Sequence, residues 1–144
     1  MARNIEVSIE VPAPIEDVWS DLARLETHAD WMRDAEAIEF LTEQRTGPGT
    51  RIRVPTRIGP LTTVDIIEFT AWEPPNRMAI SHTGKFSGVG EIALSPTASG
   101  TEVTWREAVR FPAAFAGPVG EFVAAPILRW FWKTNLKRLA ARFL

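Results

Sequence analysis

Cysteine is absent from the 144 residues, and so is tyrosine. The first absence excludes thiol catalysis, disulfides and cysteine-bound zinc. The second removes a common proton donor from any acid–base site. Histidine occurs only at His28 and His82, a separation that matches no metal-ligand spacing. No metal and no cofactor are therefore expected. Serines and threonines are scattered without a nucleophile elbow, and no glycine-rich loop follows a strand and opens a helix. Long apolar runs are missing too. The nearest to a membrane span, Phe111 to Leu128, contains Glu121, two glycines and three prolines. The opening MARNIEVSIEV enters an alternating pattern at once and shows no secretory signal. A cytoplasmic protein without an integral membrane segment is the expectation.

What is present has ordinary globular proportions, 45% hydrophobic and 24% charged, with a net charge of -2. That balance gives no reason to expect nucleic acid as a partner. The length suits one domain over 1–144 and allows a core without a metal or disulfide staple. Charge is uneven: residues 1–50 hold eleven acids against four bases, and residues 111–144 hold one acid against five bases. Two ends that attract each other, or that sit on separate solvated faces, account for this, and a basic helix end touching anionic lipid is the sharper alternative.

The first strand is plain in the pattern. Ile5, Val7, Ile9 and Val11 alternate with Asn4, Glu6, Ser8 and Glu10, as in a half-buried strand. Pro12 and Pro14 end it, and Pro14 suits the first turn of a helix. Ile15, Val18, Trp19, Leu22 and Leu25 follow helical spacing, and a second short turn is expected near His28 to Met32. From Ala35 the pattern is a meander with strands at 35–43, 50–56, 61–72, 77–82, 84–94 and 101–111. Turn material such as TGPG and EPPN separates them, and such short connections favour antiparallel neighbours. The last third holds the only run long enough for a long helix. Its apolar residues go most of the way round near Ile127 to Trp132, so cover on more than one side is expected. Lys133, Lys137, Arg138 and Arg142 crowd its end, where cations suit the helix dipole.

This order resembles the START/SRPBCC superfamily and its helix-grip fold. Three stretches carry the likeness: VPAPIEDVWSDLARLETHADWM at 11–32, VDIIEFTAWEPPNRMAI at 64–80 and GTEVTWREAVRF at 100–111. The branch it most resembles is the polyketide cyclase/dehydrase-like one. The resemblance implies an α+β fold, with a curved antiparallel sheet of about seven strands wrapped around the C-terminal helix. Two short helices would follow the first strand, and an apolar cavity would lie between sheet and helix.

Polar residues on apolar strand faces are the candidates for work in such a cavity. Val103, Trp105, Glu107, Val109 and Phe111 share a face by the period of two. Glu107 is thus an acid among core residues, to be paired with an arginine, left in solvent at the strand end, or turned into a pocket. His82 shares a face with Met78 and Ile80 at a strand end, as a turn residue or a pocket base. On 61–72 both faces carry aliphatic residues and one acid, Asp65 or Glu68, so the pattern does not decide which faces inward. Glu68 joins His82 and Glu107 as the catalytic candidates. Trp31, Glu68, His82, Trp105, Glu107, Phe122 and Trp130 are the expected ligand contacts. Trp19 and Trp72 are expected in the core and Trp132 on the outer side of the helix. Pro126, near Gly117 and Gly120, is expected to kink the helix and open an entrance.

Three functions compete. One is binding or carriage of a hydrophobic small molecule of lipid, polyketide or aromatic type. The second is a cyclase/dehydratase-like enzyme using pocket acids and bases. The third is an interaction module presenting the helix to a partner, with a monomer or homodimer as the assembly.

Overall fold

Alternation makes β1 (Arg3–Val11), and its inner residues Ile5, Val7 and Val11 are buried. The computed structural model describes residues 3–144. Pro14 precedes α1 (Ile15–Ala23), whose Val18, Trp19 and Leu22 face inward. A single 3-10 turn leads to α2 (His28–Trp31). Then come β2 (Glu39–Phe40), β3 (Arg51–Ile58), β4 (Leu61–Glu73), β5 (Arg77–Thr83), β6 (Ser87–Pro96) and β7 (Thr101–Arg110). The chain closes with α3 (Gly117–Ala141). The strands form one antiparallel sheet in the order β1-β7-β6-β5-β4-β3-β2. Among the strands described, only the pairing of β7 with β1 joins neighbours far apart in sequence. A register shift in β4 between Phe69 and Ala71 marks a bulge, a device that bends a strand. The sheet with α3 and the two short helices is the helix-grip arrangement.

Several expected boundaries move. Of the stretch 35–43 only Glu39–Phe40 pairs as strand, on β3, while Ala35 makes an isolated bridge to Thr56. The strand expected at 84–94 runs instead from Ser87 to Pro96. Residues 112–116 form a short turn before α3, ending at Ala116 with φ 65°. Pro126 lies inside α3, which continues through it.

The long helix is not covered all round. Trp132, Asn135, Leu136 and Leu139 are buried against the rest of the fold. Val119, Phe122, Val123, Ile127 and Trp130 form an exposed row, each 55–67% accessible. The apolar ring near 127–132 is therefore split. Trp132 turns inward and stacks on Trp105, with centroids 5.3 Å apart and planes at 13°, which reverses the expected outward position. Two residues along a helix differ by about 200° in direction, so Trp130 and Trp132 cannot share a side. Trp105 also meets Trp31 edge-on at 6.1 Å.

Candidate functional site

A cavity of about 350 Å³ lies between the sheet's inner face and the first half of α3. Ile52 and Val54 of β3, Ile67 and Phe69 of β4, and Ile92 of β6 supply apolar wall. Ala124, Ile127, Leu128 and Trp132 of α3 close it, with Phe111 and Phe115 at the approach to the helix. Ile127 is both on the wall and exposed, which places it at the rim.

Polar groups gather where β4, β5 and β7 meet the cavity. Strands two places apart in a sheet are nearly 10 Å apart, roughly twice the neighbour spacing. Even so, His82 of β5 and Glu107 of β7 bring Nε2 and Oε2 to 3.7 Å. The strand between them makes this possible. His82 pairs with Gly88 and Glu107 with Gly90 across β6, so no intervening side chain rises there. A Cβ on Gly90 would stand 2.6 Å from Cγ of Glu107.

His82 is held from behind. Its Nδ1 is 2.9 Å from the carbonyl oxygen of Phe86. A carbonyl only accepts, so Nδ1 carries the proton and Nε2 is left as an acceptor. That Nε2 is buried and has no hydrogen-bond partner. Glu107 accepts a hydrogen bond from Trp105 Nε1 at 3.1 Å through its other oxygen. Burial pushes the Glu107 carboxyl up to about 8; the Trp105 hydrogen bond opposes this, and the charges of Asp65 and Asp34 add to it. Burial lowers His82, against the opposing influence of Asp65 and the Phe86 hydrogen bond. At 3.7 Å, with both shifts favouring the uncharged forms, the two groups are a neutral acid beside a neutral imidazole rather than an ion pair.

Three further acids share the wall, Asp65, Asp34 and Glu91, the last bound by Arg77 and Arg106. Asp65 pairs across β3 with Val54 and meets the Thr56 hydroxyl at 3.2 Å. Asp34 accepts from Asn135 Nδ2 at 2.8 Å, while Asn135 Oδ1 accepts the Arg33 amide at 3.1 Å. Burial is the leading cause raising the carboxyls of Asp34 and Asp65. His28 also reaches the wall; its Nε2 lies 2.7 Å from the Leu22 carbonyl, and burial lowers its pKa. Among the described residues the lining holds no lysine or arginine. Among the described residues no group of three or more His, Cys, Asp or Glu could hold a metal.

Of the residues expected to contact a ligand, His82, Trp105 and Glu107 are on the wall. Four are not. Glu68 is exposed on the outer face, where Arg51 lies across β3 with their side chains 4.0 Å apart, and Asp65 takes the inward place. Trp31 is fully buried behind Trp105 and does not reach the cavity. Phe122 and Trp130 point outward on the exposed side of α3. The sequence reading missed Asp34, whose carboxyl is brought in by a long-range contact with α3, and Trp132. One usable signal was the pair Gly88 and Gly90, two residues apart on one strand face.

A sheet gripping a helix over a partly polar cavity of about 350 Å³ defines the fold class. The chain belongs to the family described as polyketide cyclase / dehydrase and lipid transport, whose model matches residues 2–144. Uncharacterized proteins from two Mycobacterium tuberculosis strains are each 25% identical over 139 residues, covering 95% of this chain and 96% of theirs. Among solved structures, TTHA0849 from Thermus thermophilus superposes with a TM-score of 0.85 at 20% identity, over 98% and 97% of the two chains. The ZhuI aromatase/cyclase from Streptomyces sp. R1128 gives 0.79 at 16% identity, over 99% and 93%. A START superfamily protein from Mycobacterium smegmatis gives 0.78 at 16%, over 97% and 96%. These structural likenesses speak for the fold alone. Among the described residues no helix is long and apolar enough to cross a membrane.

Proposed function

We propose that this protein binds an apolar small molecule with one polar end in the cavity between the sheet and α3. The observation that carries the reading is the cavity itself, about 350 Å³ with an almost wholly apolar wall and a confined polar corner at His82 and Glu107. Well-packed interiors leave few voids larger than a water, so this space is costly to keep empty. Its size is at the lower end of small-molecule pockets. Trp105 and Trp132 on the wall provide a readout. The neutral probe N-phenyl-1-naphthylamine is expected to bind saturably and quench tryptophan emission. Filling the wall by Ile67→Trp should abolish that binding without unfolding the protein. Non-saturable probe uptake, indifferent to the filled cavity, would refute the reading.

A second reading, turnover by a cyclase/dehydratase-like route, is favoured by one observation. A neutral imidazole with a free acceptor stands 3.7 Å from a carboxyl held protonated near neutral pH. One group takes a proton and the other gives one, which is the requirement for coupled acid–base work. In this reading His82 and Glu107 carry the chemistry and Asp65 replaces Glu68 as the third group. His82→Ala and Glu107→Gln should then each suppress conversion of a poly-carbonyl substrate; unchanged turnover in both removes this reading and leaves binding intact.

A further inference from the structure

The polar corner has a chemical preference that can be read from its donors and acceptors. His82 is 8% exposed at its side chain, its Nδ1–H is committed to the Phe86 carbonyl, and its Nε2 has no partner. Glu107 has one oxygen engaged by Trp105 and the other 3.7 Å from that Nε2. This gap is too wide for a direct hydrogen bond, yet one oxygen atom beside the pair, off the line that joins them, can lie about 2.8 Å from both. We infer that the corner is built for a single hydroxyl, so that the ligand is a neutral apolar alcohol or phenol and a carboxylate is rejected. The inference rests on the small-molecule reading above and adds the class of ligand.

A hydroxyl is the group that fits both sides. Its O–H donates to His82 Nε2, and its oxygen accepts from the Glu107 carboxyl, which burial keeps protonated near neutral pH. An ether or ketone has no hydrogen for Nε2 and leaves that acceptor unsatisfied, which carries a desolvation cost. An anion fares worse. Among the described residues the lining offers it no lysine or arginine, and it meets Asp34 and Asp65 on the same wall. Glu91, also in the lining, is itself a carboxylate held by Arg77 and Arg106 and gives an anion no donor.

Three compounds on one ring system separate these cases: 2-naphthol, 2-methoxynaphthalene and 2-naphthoate, each used at about pH 7 to displace N-phenyl-1-naphthylamine. The expected order places 2-naphthol at least about tenfold tighter than either of the others. In His82→Phe the advantage of 2-naphthol over 2-methoxynaphthalene should fall to about twofold or less, with 2-methoxynaphthalene still bound. Circular dichroism checks that this variant folds; if it does not, the ranking on the wild-type protein decides alone. Equal affinity for all three, or tightest binding of 2-naphthoate, overturns the hydroxyl inference while the small-molecule reading stands. Failure of the probe itself to bind the wild-type protein overturns that underlying reading instead.

Discussion

The two halves of α3 do different work. From Trp132 onward the helix is an anchor. Leu136 and Leu139 are fully buried, and Arg138 donates to the backbone carbonyls of Trp31 at 3.2 Å and Asp30 at 3.1 Å. Arg142 grips Asp21 with two hydrogen bonds of 2.8 and 2.9 Å, and Lys133 reaches the Ser8 carbonyl. Before Trp132 the helix is a cover. Its inner side lies over the cavity, its outer side is an apolar row in solvent, and Glu121 ties it to the Phe111 amide at 2.9 Å. One continuous helix thus divides its length between enclosing space and packing, with Trp132 at the boundary. The difference shows that stability and binding are separated along this element, so substitutions should separate them too.

The largest effect is expected in the anchor. Leu136→Ala should cost about 2–5 kcal/mol in denaturant unfolding, through lost burial and the void left behind. A loss below that range would show that the C-terminal half is not the fastening point. Asn135→Ala comes next. It strands the Asp34 carboxyl and the Arg33 amide, and a loss of about 1–3 kcal/mol is expected from the unmet hydrogen bonds. The space under the cover has its own signature in pH. Glu107 has a folded pKa of about 8 against an ordinary 4.5, so the folded protein holds the proton more tightly. Its contribution to stability is greatest at low pH, declines as pH rises through roughly 4.5 to 8, and levels off above that. Asp34 and Asp65, also raised by burial, act in the same direction. His28 and His82, lowered by burial, act oppositely and weaken the fold as pH falls below about 6.5. Glu107→Gln should flatten the decline in melting temperature expected between about pH 5 and pH 9. An identical slope would mean the carboxyl is solvated. The smallest effect belongs to the outer side of the cover: Val119→Ser and Val123→Ser should each change unfolding free energy by less than about 0.5 kcal/mol.

Particular residues show why only part of the site was legible in the chain. Glu107 stood out because four apolar residues surround it at alternate positions on one strand. His82 did so for the same reason, on a shorter strand. The choice between Asp65 and Glu68 was illegible because β4 is aliphatic on both faces; pairing decided it, with Arg51 opposite Glu68 outside and Val54 opposite Asp65 inside. Trp132 was misplaced for a related reason. Where a helix is apolar nearly all round, no polar side reveals which way it turns, and the stack of Trp132 on Trp105 sets the rotation.

The order of elements, the antiparallel meander and the inward acid on the last strand follow from local rules: side-chain period, proline placement and short turns. These need only neighbouring residues, so the sequence alone determines them. The meeting of His82 with Glu107 over two glycines, the exposed row on α3 and the empty volume beneath it belong to the tertiary structure. Each depends on how surfaces distant in sequence fit against one another, and no local pattern records the space that remains between them.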